Sequence, residues 1–153
     1  MAFELRSSCF GENGTIAKKY TCDGSDVSVP LNWTDPPEGT KSLALVVDDP
    51  DAPSGTFVHW VLYDLPGDTQ RLVEDIPAKR VLDNGAKQGV NDFHKIGYGG
   101  PCPPRGPAHR YVFRLYALNH VTGLQPGSTK QQLLRVIKGH ILAEAQLTGI
   151  YER

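Results

Sequence analysis

LALVVDDPDAPSGTFVHWVLYDL, residues Leu43–Leu65, holds two apolar runs with a Pro- and Asp-rich turn between them. The runs Leu43–Val47 and Phe57–Tyr63 are β-branched and aromatic and are bounded by Asp, Pro and Gly, the pattern of buried strands. A third such run, Tyr111–Leu118, follows the rigid loop GYGGPCPPRGPA that starts at Gly97. The middle of the chain is therefore expected to be β. Shorter pieces at Phe3–Ser7, Thr15–Tyr20 and Leu31–Thr34 are expected to add flanking strands, and the twelve prolines sit mostly in connections, where a missing N–H costs nothing. Residues Gly85–Gly100 contain five glycines but also Phe93, His94 and Tyr98, which predicts a long ordered functional loop rather than a linker.

After Gly127 the apolar period changes. Ser128 is placed to cap a helix with Gln131 three residues on, and Leu133, Leu134, Ile137, Ile141, Leu142 and Ala145 then recur on one face. This predicts one amphipathic helix, kinked at Gly139 and stopped near Gly149, with its stripe packed on the sheet.

The chain has 153 residues, 39% of them hydrophobic, which suits one domain over residues 1–153 with one core. Its formal charge of −1, with basic residues dispersed, argues against a nucleic-acid partner. No apolar run reaches the roughly 20 residues that span a bilayer, and Met1–Phe10 lacks the features of a secretion signal, so a soluble cytoplasmic protein without integral membrane association is expected. Cys9, Cys22 and Cys102 lack CxxC spacing, which counts against structural zinc. In a reducing compartment three free thiols are expected in preference to a Cys22–Cys102 bridge.

Asp49, Asp51, His59, His109 and Tyr111 adjoin strands that otherwise read as buried, so each needs a partner or a ligand to offset desolvation. Imidazoles, a tyrosine hydroxyl and loop amides are donors suited to an oxyanion such as phosphate, with the carboxylates orienting the histidines. The same set permits a metal site of His59, His109 and an aspartate, although no HxH or HExxH spacing marks one. It also permits a hydrolase with Ser54 or Cys102 as nucleophile. No GxSxG elbow supports that chemistry, and Cys102 lies between prolines rather than at a helix N-terminus. Asp51 has a second reading as a turn cap. Arg110 alternates with His109 and Tyr111, so it is expected on the opposite strand face in a salt bridge. His94, His120 and His140 are assigned to surface or helix positions.

DPDAP at Asp49–Pro53, FVHW at Phe57–Trp60, GPCPPRG at Gly100–Gly106 and HRYVF at His109–Phe113 together resemble the phosphatidylethanolamine-binding protein family, which includes the Raf kinase inhibitor proteins. YTCDG at Tyr20–Gly24, the Asn91–Gly100 segment and KGHILAEAQLTGIY at Lys138–Tyr151 extend the likeness over nearly the whole chain. The resemblance implies a mainly β fold, a large antiparallel sheet packed with a smaller one plus a few helices, to which the amphipathic C-terminal helix read above belongs, enclosing an anion pocket for phosphate or phosphoryl headgroups. It implies a site of Asp49, Asp51, His59, Gly100, His109 and Tyr111; the donor-rich, nucleophile-poor character of that cluster leads to the expectation of binding without catalysis and without a cofactor. Protein kinases or serine proteases are the implied protein partners, and a homodimer is implied as well. A metal-dependent or phosphate-ester hydrolase using the same pocket is the alternative.

Overall fold

The computed structural model describes residues 2–153. Nine strands, one α-helix and a 3-10 turn build two sheets: β1 Glu4–Arg6, β2 Gly14–Thr15, β3 Leu31–Thr34, β4 Ser42–Asp49, β5 Phe57–Pro66, β6 Arg71–Leu72, β7 Lys87–Gln88, β8 His109–Leu118, α1 Lys130–Ile137 and β9 Ile141–Tyr151. The large sheet has the order β2-β9-β8-β4-β5-β7 and the small one β1-β3-β6. Every pairing is antiparallel except that of β2 with the end of β9. The mainly β architecture expected from the sequence is therefore present. Among the described residues no helix is long and apolar enough to cross a membrane.

Why β4 reads as an unbroken apolar run follows from its position in the fold. Leu43, Leu45 and Val47 face the small sheet with Trp33, Leu31, Trp60, Phe113 and Leu115. Ala44 and Val46 face the other way and pack with Val61, Tyr63, Leu133 and Ile137 under α1. Both faces are buried, so alternation with polar residues is lost. Asp48, on the helix side, is the exception: it is buried and ion-paired with Arg114 Nη1 at 3.1 Å and Lys130 Nζ at 2.6 Å, which ties the helix N-terminus to the central strand.

The helix differs from its expected form at both ends. Thr129, not Ser128, is the cap: its hydroxyl accepts from Gln132 N and Gln132 Oε1 accepts from Thr129 N, a capping box one residue later than expected. Ser128 Oγ instead donates to Gln125 O. Nor does the helix run on to Gly149. Gly139, at φ 83°, terminates it, with His140 N donating back to Ile137 O, and β9 begins at Ile141. Ala145, Leu147 and Tyr151 fit a strand period as well as a helical one, and the ladder of ten register pairs with β8 decides between them. Thr15–Tyr20 is likewise only partly strand, since Lys18–Tyr20 forms the 3-10 turn.

His120 and His140, expected at surface or helix positions, flank the β8 and β9 termini and stack on each other with ring centroids 3.9 Å apart. His94 is exposed, as expected.

Candidate functional site

Because β4 ends where antiparallel β8 begins, Asp49 and His109 close the same end of the inner sheet face. Asp49 Oδ2 meets His109 Nδ1 at 2.6 Å, and Asp49 Oδ1 accepts from Asp51 N at 2.7 Å. Holding Nδ1 as the donor fixes the tautomer and leaves Nε2 for a ligand. Two residues on, Tyr111 points to the same face, and its hydroxyl is buried beside the Asp49 carboxylate, close enough to interact with it but without the geometry of a full hydrogen bond. Burial first, and then the Asp49 charge, push its pKa up, so the group is a neutral O–H.

His59 reaches this face because of a bulge. The β4–β5 register steps from Val47↔Trp60 to Asp48↔Val58, so one β5 residue is left over at His59. Strict alternation from Trp60 would have turned His59 towards the helix side; the extra residue re-aims it inward. There its Nδ1 sits 2.7 Å from Gly99 O, which makes Nδ1 the protonated nitrogen and leaves Nε2 as the acceptor. Burial lowers its pKa, with Gly99 and Asp49 opposing more weakly. The ring is held edge-on to Tyr111 and Phe93, with centroids at 5.2 Å and 5.5 Å, and tilted against Phe57 at 5.0 Å.

These groups line a cavity of about 130 Å³. Ala52 and Pro53 from the β4–β5 turn form one rim, and Cys102, Pro103 and Pro104 form the other. The sequence reading missed Phe57 and Phe93 as walls, although their position beside His59 and in the long loop was the available signal.

Cys102 is not a free thiol. It is bridged to Cys22 across 80 residues, contrary to the expectation of three reduced cysteines, and only Cys9 is unpaired. The reason is spatial. Cys22 N donates to Pro101 O, Tyr98 Oη donates to Tyr20 O, and Gly100 N donates to Asp26 Oδ1, so two distant loops are stitched side by side. This also relocates Gly100. Its amide is committed to Asp26 rather than to the cavity, and a Cβ there would lie 2.2 Å from Tyr20 O, so the glycine is required by close approach of backbone.

Asp51 also stands outside the cavity lining. Arg110 grips it in two-point fashion, Nη2 to Oδ1 at 2.8 Å and Nε to Oδ2 at 2.9 Å, and Arg110 N adds a third contact at 2.9 Å. Arg110 holds the carboxyl at a pKa of about 2. Arg110 thus makes the salt bridge on the opposite face that its place in the strand predicts. Asp49, His59, His109 and Tyr111 are brought together in the cavity; Asp51 and Gly100 are not.

Ser54 is exposed and lies outside the cavity. Among the described residues no group of three His, Cys, Asp or Glu side chains is arranged to hold a metal ion.

Comparison with known proteins agrees with this fold. The family model described as phosphatidylethanolamine-binding protein matches residues 6–152. A UPF0098 protein of Aquifex aeolicus is 50% identical over 152 residues, covering 98% of this chain and 88% of that protein. One from Methanothermobacter thermautotrophicus is 48% identical over 149 residues, covering 97% and 98%. Among solved structures, a phosphatidylethanolamine-binding protein homologue of Chlamydia trachomatis superposes with a TM-score of 0.91 at 41% identity, over 99% of this chain and 98% of that one. YbcL of E. coli, described as a new member of the mammalian PEBP family, gives 0.91 at 32% identity over 100% and 99%.

Proposed function

This chain belongs to the phosphatidylethanolamine-binding protein family, and on that premise we propose that it is a non-enzymatic binding protein for a small phosphate-bearing ligand, taken up between Asp49, His59, His109 and Tyr111. The observation that carries the reading is a cavity lined by His59, His109 and Tyr111 in which each histidine commits Nδ1, to Gly99 O and to Asp49 Oδ2, and keeps Nε2 for a ligand. At about 130 Å³ the cavity is smaller than the 300–1,000 Å³ typical of drug-sized ligands and suits a phosphate or compact phosphoryl headgroup.

Each polar group has a distinct part. Tyr111 donates its O–H. His109, held through Nδ1 by Asp49, turns Nε2 to the ligand. Neutral His59 accepts at Nε2, which fits the protonated oxygen of a phosphate monoanion. The prolines and the disulfide hold the rim in place before binding, which reduces the ordering cost. Neither of the nucleophiles that the sequence offered is available, since the Cys102 sulfur is bridged and Ser54 lies outside the cavity, which favours capture over turnover. A protein kinase or serine protease partner would sense occupancy at the Cys102–Pro104 rim.

Calorimetric titration of inorganic phosphate and phosphoethanolamine into wild type and His109→Asn tests the proposal. Asparagine retains an N–H for Asp49 and deletes only the Nε2 that faces the ligand. Binding by wild type that the variant loses is the expected result; equal binding by both proteins, or none by wild type, would overturn the assignment.

A further inference from the structure

A second cavity, of about 510 Å³, opens between β1 and β9, well along the ladder from His109. Leu5, Phe10, Ala145 and Leu147 give it an apolar floor. Its rim carries Glu4, Glu12 and Glu144 against a single cation, Arg6, which is already paired with Glu4.

Both walls are unpaired strand edges. At the far end of β9, Thr148 turns its backbone away from β8: its O accepts from Asn13 N at 2.7 Å and its N donates to Glu12 Oε1 at 3.0 Å. The β8–β9 register runs without interruption from Tyr151 to Ala143, so by period-two alternation Gln146 and Glu144 also turn their N–H and C=O outward. β2 covers only Gly149 and Ile150, and among the described residues nothing pairs with those outward groups. On the opposite wall Trp33 N bonds towards β6, so Leu5, its partner on β1, likewise faces its backbone into the groove. An exposed edge above an apolar floor is a template for one more strand.

We propose that the groove between β1 and β9 is a docking site for an extended segment of another protein that alternates apolar residues with Lys or Arg, added as a strand to the free edge of β9. Charge complementarity selects this occupant. Side chains of an added strand that share the face of Ala145 and Leu147 lie over the apolar floor, whereas those that share the face of Glu144 and Gln146 meet the acidic rim. A second copy of this chain would instead bring Glu144 and Glu12 towards their own equivalents, like charge against like. The site is independent of the anion pocket.

The probe is the peptide acetyl-Lys-Val-Lys-Val-Lys-Val-Lys-amide, titrated into the intact protein with amide hydrogen exchange followed by NMR. Expected are slowed exchange at the Glu144 and Gln146 amides, at least tenfold weaker binding to Glu144→Lys, loss of binding by a backbone N-methylated copy of equal charge, and unchanged peptide binding by His109→Asn. Equal binding of the N-methylated copy would reveal charge attraction alone and overturn strand addition. Protection of the same amides without peptide, growing with protein concentration, would assign the edge to a second copy and overturn the proposal, as would absence of protection throughout.

Discussion

Asp49 and His109 stand 2.6 Å apart at the end of the inner sheet face, with side chains only 4% and 10% exposed. Removing one member of such a buried pair leaves the other uncompensated, at a cost of about 3–5 kcal/mol. His109→Ala is therefore expected to approach that loss. His109→Asn, which keeps a donor for Asp49, is expected to lose about 1 kcal/mol. Urea unfolding of the two variants measures the difference, and equal midpoints would show that the pair does not stabilise the fold.

Tyr111 predicts a crossover. In the free protein Tyr111→Phe removes an unpartnered buried hydroxyl, so stability should be unchanged or slightly raised. Phosphate affinity should fall by about 0.5–1.5 kcal/mol, the usual net worth of one hydrogen bond. A stability loss on this substitution would mean that the hydroxyl has a partner in the folded chain.

Acid should act through His59. Burial lowers its folded pKa below the unfolded value near 6.5, so below that pH the unfolded state binds the extra proton. Stability is then full above pH ~6.5 and declines as pH falls towards the folded pKa. Melting temperatures of wild type and His59→Gln between pH 8 and pH 5 should diverge in slope. Parallel curves would show that His59 titrates alike in both states.

Arg110→Ala frees Asp51. With the guanidinium gone, the carboxyl should return from about 2 towards its ordinary 3.8, read by NMR titration of the side chain. The depressed pKa contributes stability above pH ~3.8 that is lost as pH falls to about 2, so the variant should differ least from wild type in strong acid. Phosphate binding should be unaffected, because neither residue lines the cavity.

Breaking the Cys22–Cys102 bridge should be costly. Joining residues 80 apart restricts the unfolded chain by about 4 kcal/mol in the chain-entropy account. The double variant Cys22→Ser, Cys102→Ser is expected to unfold at lower urea and, with the rim loosened, to bind phosphate more weakly. Wild type with dithiothreitol should match it; no response to the reductant would argue that the bridge is absent in solution.

How far the sequence reached is clear from particular residues. β4, β5 and β8 were legible because burial on both faces forces long apolar runs. Asp49, His59, His109 and Tyr111 were legible as polar residues at the ends of those runs. Their convergence required the β4–β8 pairing and, for His59, a one-residue bulge that no local pattern marks. Ile141–Tyr151 lay open to two periods, and only the ladder with β8 selected the strand. The cysteine bridge, the capture of Asp51 by Arg110 and the commitment of the Gly100 amide to Asp26 depend on which distant loops meet. The sequence by itself determined which segments must be buried and which side chains are costly to bury, because those follow from composition along a few residues. Tertiary structure alone decided which of those side chains were fully committed to partners and which, like the His59 and His109 rings, kept one nitrogen for a cavity, because hydrogen bonds between residues far apart form only once the sheets have packed.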